Sequence, residues 1–309
     1  MTEPPALGKG MRVPDRILPA ISLRLIAVLA FATMGALIKL AERGGATLPE
    51  LLFFRQLLAL PIVLAAVIAG PGLASLTTTR LSTHLLRTLI GLTSMACMFM
   101  SVLILPLAEA TTLQFTMPIF ATILGALILH EPTGIHRWGA VIVGFMGILI
   151  VTQPGTSHIP VLGAVIGLTA AMLSAGVSIL LRHISKTELS TTTVFYFSVL
   201  SLVPLGIWWS FNLAAHPLMT WGYMALMGLM GGIGQLAMTR SLGLAPVAVV
   251  LPMDYSSLIW ATLYGWLIFS VLPTPMTWVG APIIIASGLY IVWREHRRAQ
   301  TNTTTATPE

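Results

Sequence analysis

The chain has 309 residues, of which 56% are hydrophobic and only 8% charged, and it carries a formal charge of +6 at pH 7. Soluble domains hold roughly 45–50% apolar and about 25% charged residues, so a water-soluble fold is excluded. The positive charge does not indicate nucleic acid either, because the Lys and Arg residues are spread over tails and short connections instead of one basic domain.

In chain order, MTEPPALGKGMRVPDRILP is polar and proline-bearing. The apolar segment after it is too long for a signal-peptide core and leads to no small-residue cleavage site. Residues 1–18 are therefore expected to form an uncleaved cytoplasmic tail. Pro, Gly and charge clusters then divide the chain into spans near 19–40, 49–70, 83–104, 107–129, 135–153, 160–182, 190–211, 218–239, 245–270 and 274–293. Each approaches the roughly 20 apolar residues that cross a bilayer's hydrocarbon core as a helix. The runs are continuous where barrel strands would alternate polar and apolar residues, which excludes a β-barrel. The expected fold is an all-α polytopic membrane protein of ten transmembrane helices, with residues 294–309 as a C-terminal tail.

Basic residues set the expected orientation, since Lys and Arg accumulate on the cytoplasmic side. One set of span ends carries Lys9, Arg12, Arg16, Arg80, Arg137, Arg182, Lys186, Arg240, Arg294, Arg297 and Arg298. The other has Arg43 and Lys39. Both termini are thus expected in the cytoplasm, as an even number of spans requires. Cys97 is the only cysteine, so no internal disulfide can form and no metal centre or cofactor is expected.

An internal repeat runs through the spans. At an offset of 140, Ala121, Thr122, Gly125 and Trp138 recur as Ala261, Thr262, Gly265 and Trp278. LPLAEATTL at 105–113 resembles LGLAPVAVV at 242–250, and IKLAERGG at 38–45 resembles LRHISKTE at 181–188. Two repeats of five spans follow, over 19–153 and 160–293. Because five is odd, the second copy enters the membrane from the opposite side. Inverted halves can exchange inward-open and outward-open shapes about a central site, which favours a carrier over a channel or an enzyme.

The order of these features resembles the drug/metabolite transporter superfamily with EamA-type repeats. The resemblance is carried by LPELLFFRQLLAL, LRTLIGLTSMACMF, LPLAEATTLQFTMPIFATILGALILHEP and LAPVAVVLPMDYSSLIWATLYGWLIF, and covers residues 19–293. The acid-proline pair Glu131-Pro132 closes the first pattern, whereas the later copy has Val271-Leu272-Pro273 and lacks the acid. The resemblance implies a ten-helix carrier of small organic solutes in a bacterial inner membrane. Members similar to this branch carry S-adenosylmethionine or riboflavin, and others export amino acids, metallophores or drugs.

Ionisable residues inside spans are costly, about 2.5–3.5 kcal/mol at a helix centre, so each needs a reason. Lys39 either snorkels to the headgroups or joins a solute site. Glu50, just after Pro49, reads as a helix-start acid complementing the dipole. Arg55 in LLFFRQLLAL should face the bundle interior, and Arg87 reads as a snorkelling or structurally paired cation. Glu109, Thr112 and Thr116 repeat at helical spacing, a polar stripe joined by Gln114 or, alternatively, a solvated cap.

Asp254 lies about 13 Å into span nine, near the midplane, after Pro252. It must be protonated, paired with Arg55 or Lys39, or exposed to a wet cavity. Gly228, Gly231, Gly232 and Gly234 read as a close-packing face, continued by Gln235, which can offer a donor and an acceptor. Tyr255 and Trp260 supply aromatic surface near the acid, and Tyr196 a further ring from span seven. The candidate binding or coupling residues are therefore Lys39, Arg55, Glu109, Gln114, Gln235, Asp254, Tyr255 and Trp260.

No GxxxxGK[ST] motif is present to bind a nucleotide, and the local group His130, Glu131 and His136 lacks the i, i+4 spacing of a helical metal site. The expected partners are a small-molecule solute, a coupling proton and the lipid bilayer, with no nucleic acid. The chain is expected to act as a monomer or a homodimer.

Overall fold

The computed structural model describes residues 13–128, 134–153, 159–184, 188–244 and 250–304, and all regular structure among them is helical. In order come α1 (Val13–Arg43), α2 (Leu48–Ala69), α3 (Leu81–Ile104), α4 (Leu107–Gln114), α5 (Met117–Ile128), α6 (Ile135–Thr152), α7 (Val161–Ile184), α8 (Ser190–Ser210) and α9 (Leu218–Leu244). A 3-10 turn (Leu251–Ser256), α10 (Ser257–Phe269) and α11 (Pro275–Thr304) complete it. Among the described residues, eight stretches are long and apolar enough to cross a membrane. The glycine-rich α9, 27 residues long, reaches about 40 Å, and the 3-10 turn with α10 makes the remaining span. The pair Glu131-Pro132 and His130 lie outside the described residues, while His136 is exposed in the first turn of α6.

Two spans are broken, and for related reasons. Span four stops at Gln114 and restarts at Met117, because Pro118 has no N–H to return to the carbonyl of Gln114. Span nine is 3-10 from Leu251 to Ser256, beginning next to Pro252. At the 140-residue offset the breaks superpose. Thr116 Oγ1 donates to the carbonyl of Leu113 at 2.6 Å, and Ser256 Oγ donates to the carbonyl of Met253 at 2.6 Å. The same local device therefore closes both interruptions.

Helix packing repeats with the same symmetry. Span two packs on span seven (α2 on α8), span four on span nine (α4 on α10) and span five on span ten (α6 on α11). The α1–α9 contact between the halves is matched by the α3–α7 contact between them. Exchanging each span for the one five places later maps this set onto itself, as an inverted repeat requires. Glycines permit the closest approaches. A Cβ on Gly228 would lie 2.8 Å from the carbonyl of Phe54 on α2, and one on Gly280 would lie 2.7 Å from the carbonyl of Gly147 on α6.

The face of the bundle at which α1 begins and α11 ends is called the terminal face below, and the opposite one the far face.

Candidate functional site

The two broken spans meet at the centre. Phe115 and Tyr255 are equivalent at the 140-residue offset, and their rings touch edge to face, centroids 5.0 Å apart. Equivalent residues in contact must flank the pseudo-two-fold axis, so this pair marks the middle of the bundle. Tyr255 continues towards α11, where its hydroxyl sits against Gly288; a Cβ there would come within 2.5 Å of it. Beside this pair, Gln114 Nε2 is buried with no hydrogen-bond partner.

Asp254 does not pair with Arg55 or Lys39, as its position in the sequence suggested. Its carboxylate receives Arg24 from α1 in a bidentate clamp, with Arg24 Nε donating to Oδ1 at 2.5 Å and Nη2 to Oδ2. The 3-10 turn lies directly against α1 and brings the acid level with Arg24, seven residues from Ile17 and so about 10 Å into the span. Arg24 is 6% exposed. Sequence reasoning passed over it, although ISLRLIAVLAF embeds it among apolar residues.

Lys39 and Glu109 stand at the far face. Lys39 lines a cavity of about 220 Å³ with Glu42, Arg43, Leu107, Phe269 and neighbours, and Arg43 lies over the Phe269 ring at 4.6 Å. Glu109 is fully buried, which rules out a solvated cap; its Oε1 accepts from Thr274 N at 3.0 Å and Thr277 Oγ1 at 3.2 Å. Thr112, in the same stripe, spends its hydroxyl on its own helix, donating to the carbonyl of Ala108 at 2.8 Å.

Arg55 and Arg87 form a separate buried group. Arg55 Nη1 donates to Gln56 Oε1. Arg87, expected to snorkel or to join an ion pair, does neither. It is 5% exposed and lies over the Phe197 ring at 3.8 Å, because Gly91, one turn on, leaves room for the guanidinium to turn inward along α3. Gln235 on α9 is half-buried, with no side-chain hydrogen bond among the described residues. Trp260 lines an apolar crevice with Leu25, Ile26, Leu29, Ser256 and Ile259 at the flank of α1 and α10, apart from Tyr255.

Each face also holds an acid–histidine clasp between the halves. At the far face, Glu50 completes a capping box on Thr47, lies 3.0 Å from His216 Nε2 and accepts from Trp209 Nε1 at 3.3 Å. At the terminal face, Glu188 accepts from Thr78 Oγ1 at 2.6 Å and lies 4.0 Å from His84 Nε2. His84 stacks on Tyr196, centroids 4.7 Å apart, and the Tyr196 hydroxyl donates to the carbonyl of Leu76. Tyr196 therefore serves a clasp and not the central site. The two clasps occupy topologically equivalent loops, between spans one and two and between spans six and seven.

The EamA-like transporter family model matches this chain twice, over residues 18–153 and 161–293. The chain belongs to the EamA-like transporter family. Among its relatives, the pseudopaline exporter CntI of Pseudomonas aeruginosa is 29% identical over 278 residues, covering 89% of this chain and 96% of that protein. A riboflavin transporter of Vibrio cholerae is 26% identical, covering 89% and 93%. An S-adenosylmethionine uptake transporter of Rickettsia felis is 28% identical, covering 80% and 84%. A crystal structure sharing 18% identity aligns with a TM-score of 0.59 over 88% of this chain and 96% of its own. The EamA fold thus accounts for the two repeats, and the protein is a transporter of small metabolites.

Proposed function

We propose that this EamA protein is a secondary carrier that moves a small organic solute across the bacterial inner membrane by alternating access, with both termini in the cytoplasm. The observation that supports this most is the contact of Phe115 with Tyr255 where two interrupted, repeat-related spans cross. Broken helices at a repeat interface supply free backbone groups and a hinge at the centre of the membrane. The Glu50–His216 contact and the Thr78–Glu188 hydrogen bond are the gates: opening to one side breaks one while the other holds. Asp254, clamped by Arg24, is the residue through which a proton or a cationic group would couple, since either can compete for its carboxylate.

The candidate solutes are S-adenosylmethionine and riboflavin, taken up. Export of a metallophore is the second reading, favoured by the similarity to the pseudopaline exporter along nearly the whole of both chains.

Counterflow in proteoliposomes tests the reading. Vesicles preloaded with S-adenosylmethionine, riboflavin, an amino acid mixture or pseudopaline should transiently accumulate the matching labelled solute. A panel with no saturable counterflow for any member would sink the carrier reading. Asp254→Asn should alter the rate or its pH dependence; transport indistinguishable from the native protein would remove Asp254 from the coupling role.

A further inference from the structure

We infer that Arg55 and Arg87 form a binding site for an oxyanion, a carboxylate or phosphate carried by the solute. The inference rests on the carrier reading for its purpose, though not for its chemistry. Both side chains are more than nine-tenths buried, and each keeps unsatisfied donors: Nε of Arg55, and Nε and Nη1 of Arg87. The neighbouring Gln56 turns its amide oxygen to Arg55 and leaves Nε2 without an acceptor, and Thr88 Oγ1 is also unpaired. The group is thus rich in donors and poor in acceptors.

Charge points the same way. The helices that carry them, α2 and α3, pack on each other, Arg55 is near enough for its charge to act on Arg87, and neither guanidinium belongs to any ion pair among the described residues. Two like charges shut away from water without a counter-ion is an arrangement that folding alone does not favour. By contrast, the chain itself supplies a carboxylate to the buried Arg24.

The surroundings hold both forks in place. A Cβ on Gly231 would lie 3.2 Å from Arg55 Nε, and a Cβ on Gly91 would lie 3.2 Å from Arg87 Nη1, so each cation lies close against a glycine. Phe197 supports the second from below at 3.8 Å. Guanidinium forks presented this way match the two oxygens of a carboxylate or phosphate. The inference ranks the candidate solutes: S-adenosylmethionine has a carboxylate, whereas riboflavin has neither group.

The test is thermal unfolding of delipidated protein in dodecyl maltoside, titrated with sodium succinate, sodium phosphate or S-adenosylmethionine against sodium chloride at equal ionic strength. At least one oxyanion should raise the melting temperature saturably by about 5 °C. Arg55→Gln and Arg87→Gln should abolish the rise, and Arg80→Gln, at an exposed position, should leave it intact. If a Gln variant does not fold, Arg87→Lys keeps the charge without the fork and should weaken binding about tenfold.

No saturable rise in the native protein, or a rise that survives both Gln substitutions, overturns the inference. So does stabilisation by phosphatidylglycerol alone, which would make the site a lipid-headgroup contact. Counterflow separates the two readings. Riboflavin exchange that is unchanged in both Gln variants, with no oxyanion effect, removes the anion site and leaves the carrier standing. Oxyanion stabilisation in a protein that exchanges no solute retains the site and removes the carrier.

Discussion

Arg24 and Arg87 are buried to the same extent, 6% and 5% exposed, each six or seven residues into a span that enters from the terminal face. Arg24 meets a carboxylate through two hydrogen bonds; Arg87 meets a phenylalanine ring and the charge of a second arginine. The repeat explains part of the contrast. The position equivalent to Asp254 in the first half is the neutral Gln114, so the skeleton is duplicated while its charges are not. One cation has its counter-ion within the protein, and the other has none among the described residues. A symmetric scaffold with asymmetric charge can change shape about its axis and still present the solute with a site of one sign.

Asp254→Leu should break this contrast most severely. It would leave Arg24 buried and unpaired, lowering stability by about 3–5 kcal/mol. The paired change Arg24→Met with Asp254→Leu should recover most of that loss, read as the melting temperature in detergent. Recovery of stability without transport would mark the clamp as a working part, while recovery of both would reduce it to a helix lock. Next in size is Glu109→Leu, a buried acid with one carboxylate oxygen, Oε1, that accepts from two neutral donors. Removing it strands the N–H of Thr274, while the hydroxyl of Thr277 keeps Thr274 Oγ1 at 2.9 Å, a loss of about 1–3 kcal/mol. Glu109→Gln keeps an acceptor and should lose less than half as much. Equal losses in the two variants would show that charge, and not hydrogen bonding, holds the far face.

The ten spans were legible because a bilayer demands long apolar runs and Pro, Gly and charge punctuate them. The repeat was legible because both halves kept register at one offset. The interruption of span nine was signalled by Pro252; that of span four came from Pro118 acting on the carbonyl four residues earlier, a signal present in the sequence but not used. The side-chain partnerships were hidden. Asp254 and Arg24 are 230 residues apart, and an arginine a few residues into a first span looks like any snorkelling cation until the neighbouring helix is known. His84, His216 and Glu188 were hidden for the same reason, since each gains meaning only from a loop of the other half.

Arg87→Met tests the unpaired side of the contrast and should move stability in the opposite direction to Asp254→Leu. Removing a buried charge that has no counter-ion, and with it the repulsion on Arg55, should raise stability by about 1 kcal/mol in the absence of solute. Denaturant or thermal unfolding would read the sign. A loss comparable to that of Asp254→Leu would mean that Arg87 is held by the fold after all.

Trp260→Leu should have the smallest effect and would sharpen where the site ends. In the sequence Trp260 stands six residues beyond Asp254, close enough to suggest a ring stacked on the solute. The fold instead places it in the apolar crevice between α1 and α10, among Leu25, Ile26, Leu29 and Ile259, while Tyr255 turns to the bundle axis and packs on Phe115. A leucine there exchanges one apolar surface for another, so stability should stay within about 0.5 kcal/mol and counterflow should be unchanged. A tenfold loss of transport with normal stability would move the solute path to the flank of the bundle, beside the clamped pair of Arg24 and Asp254, and away from the buried donors of Arg55 and Arg87.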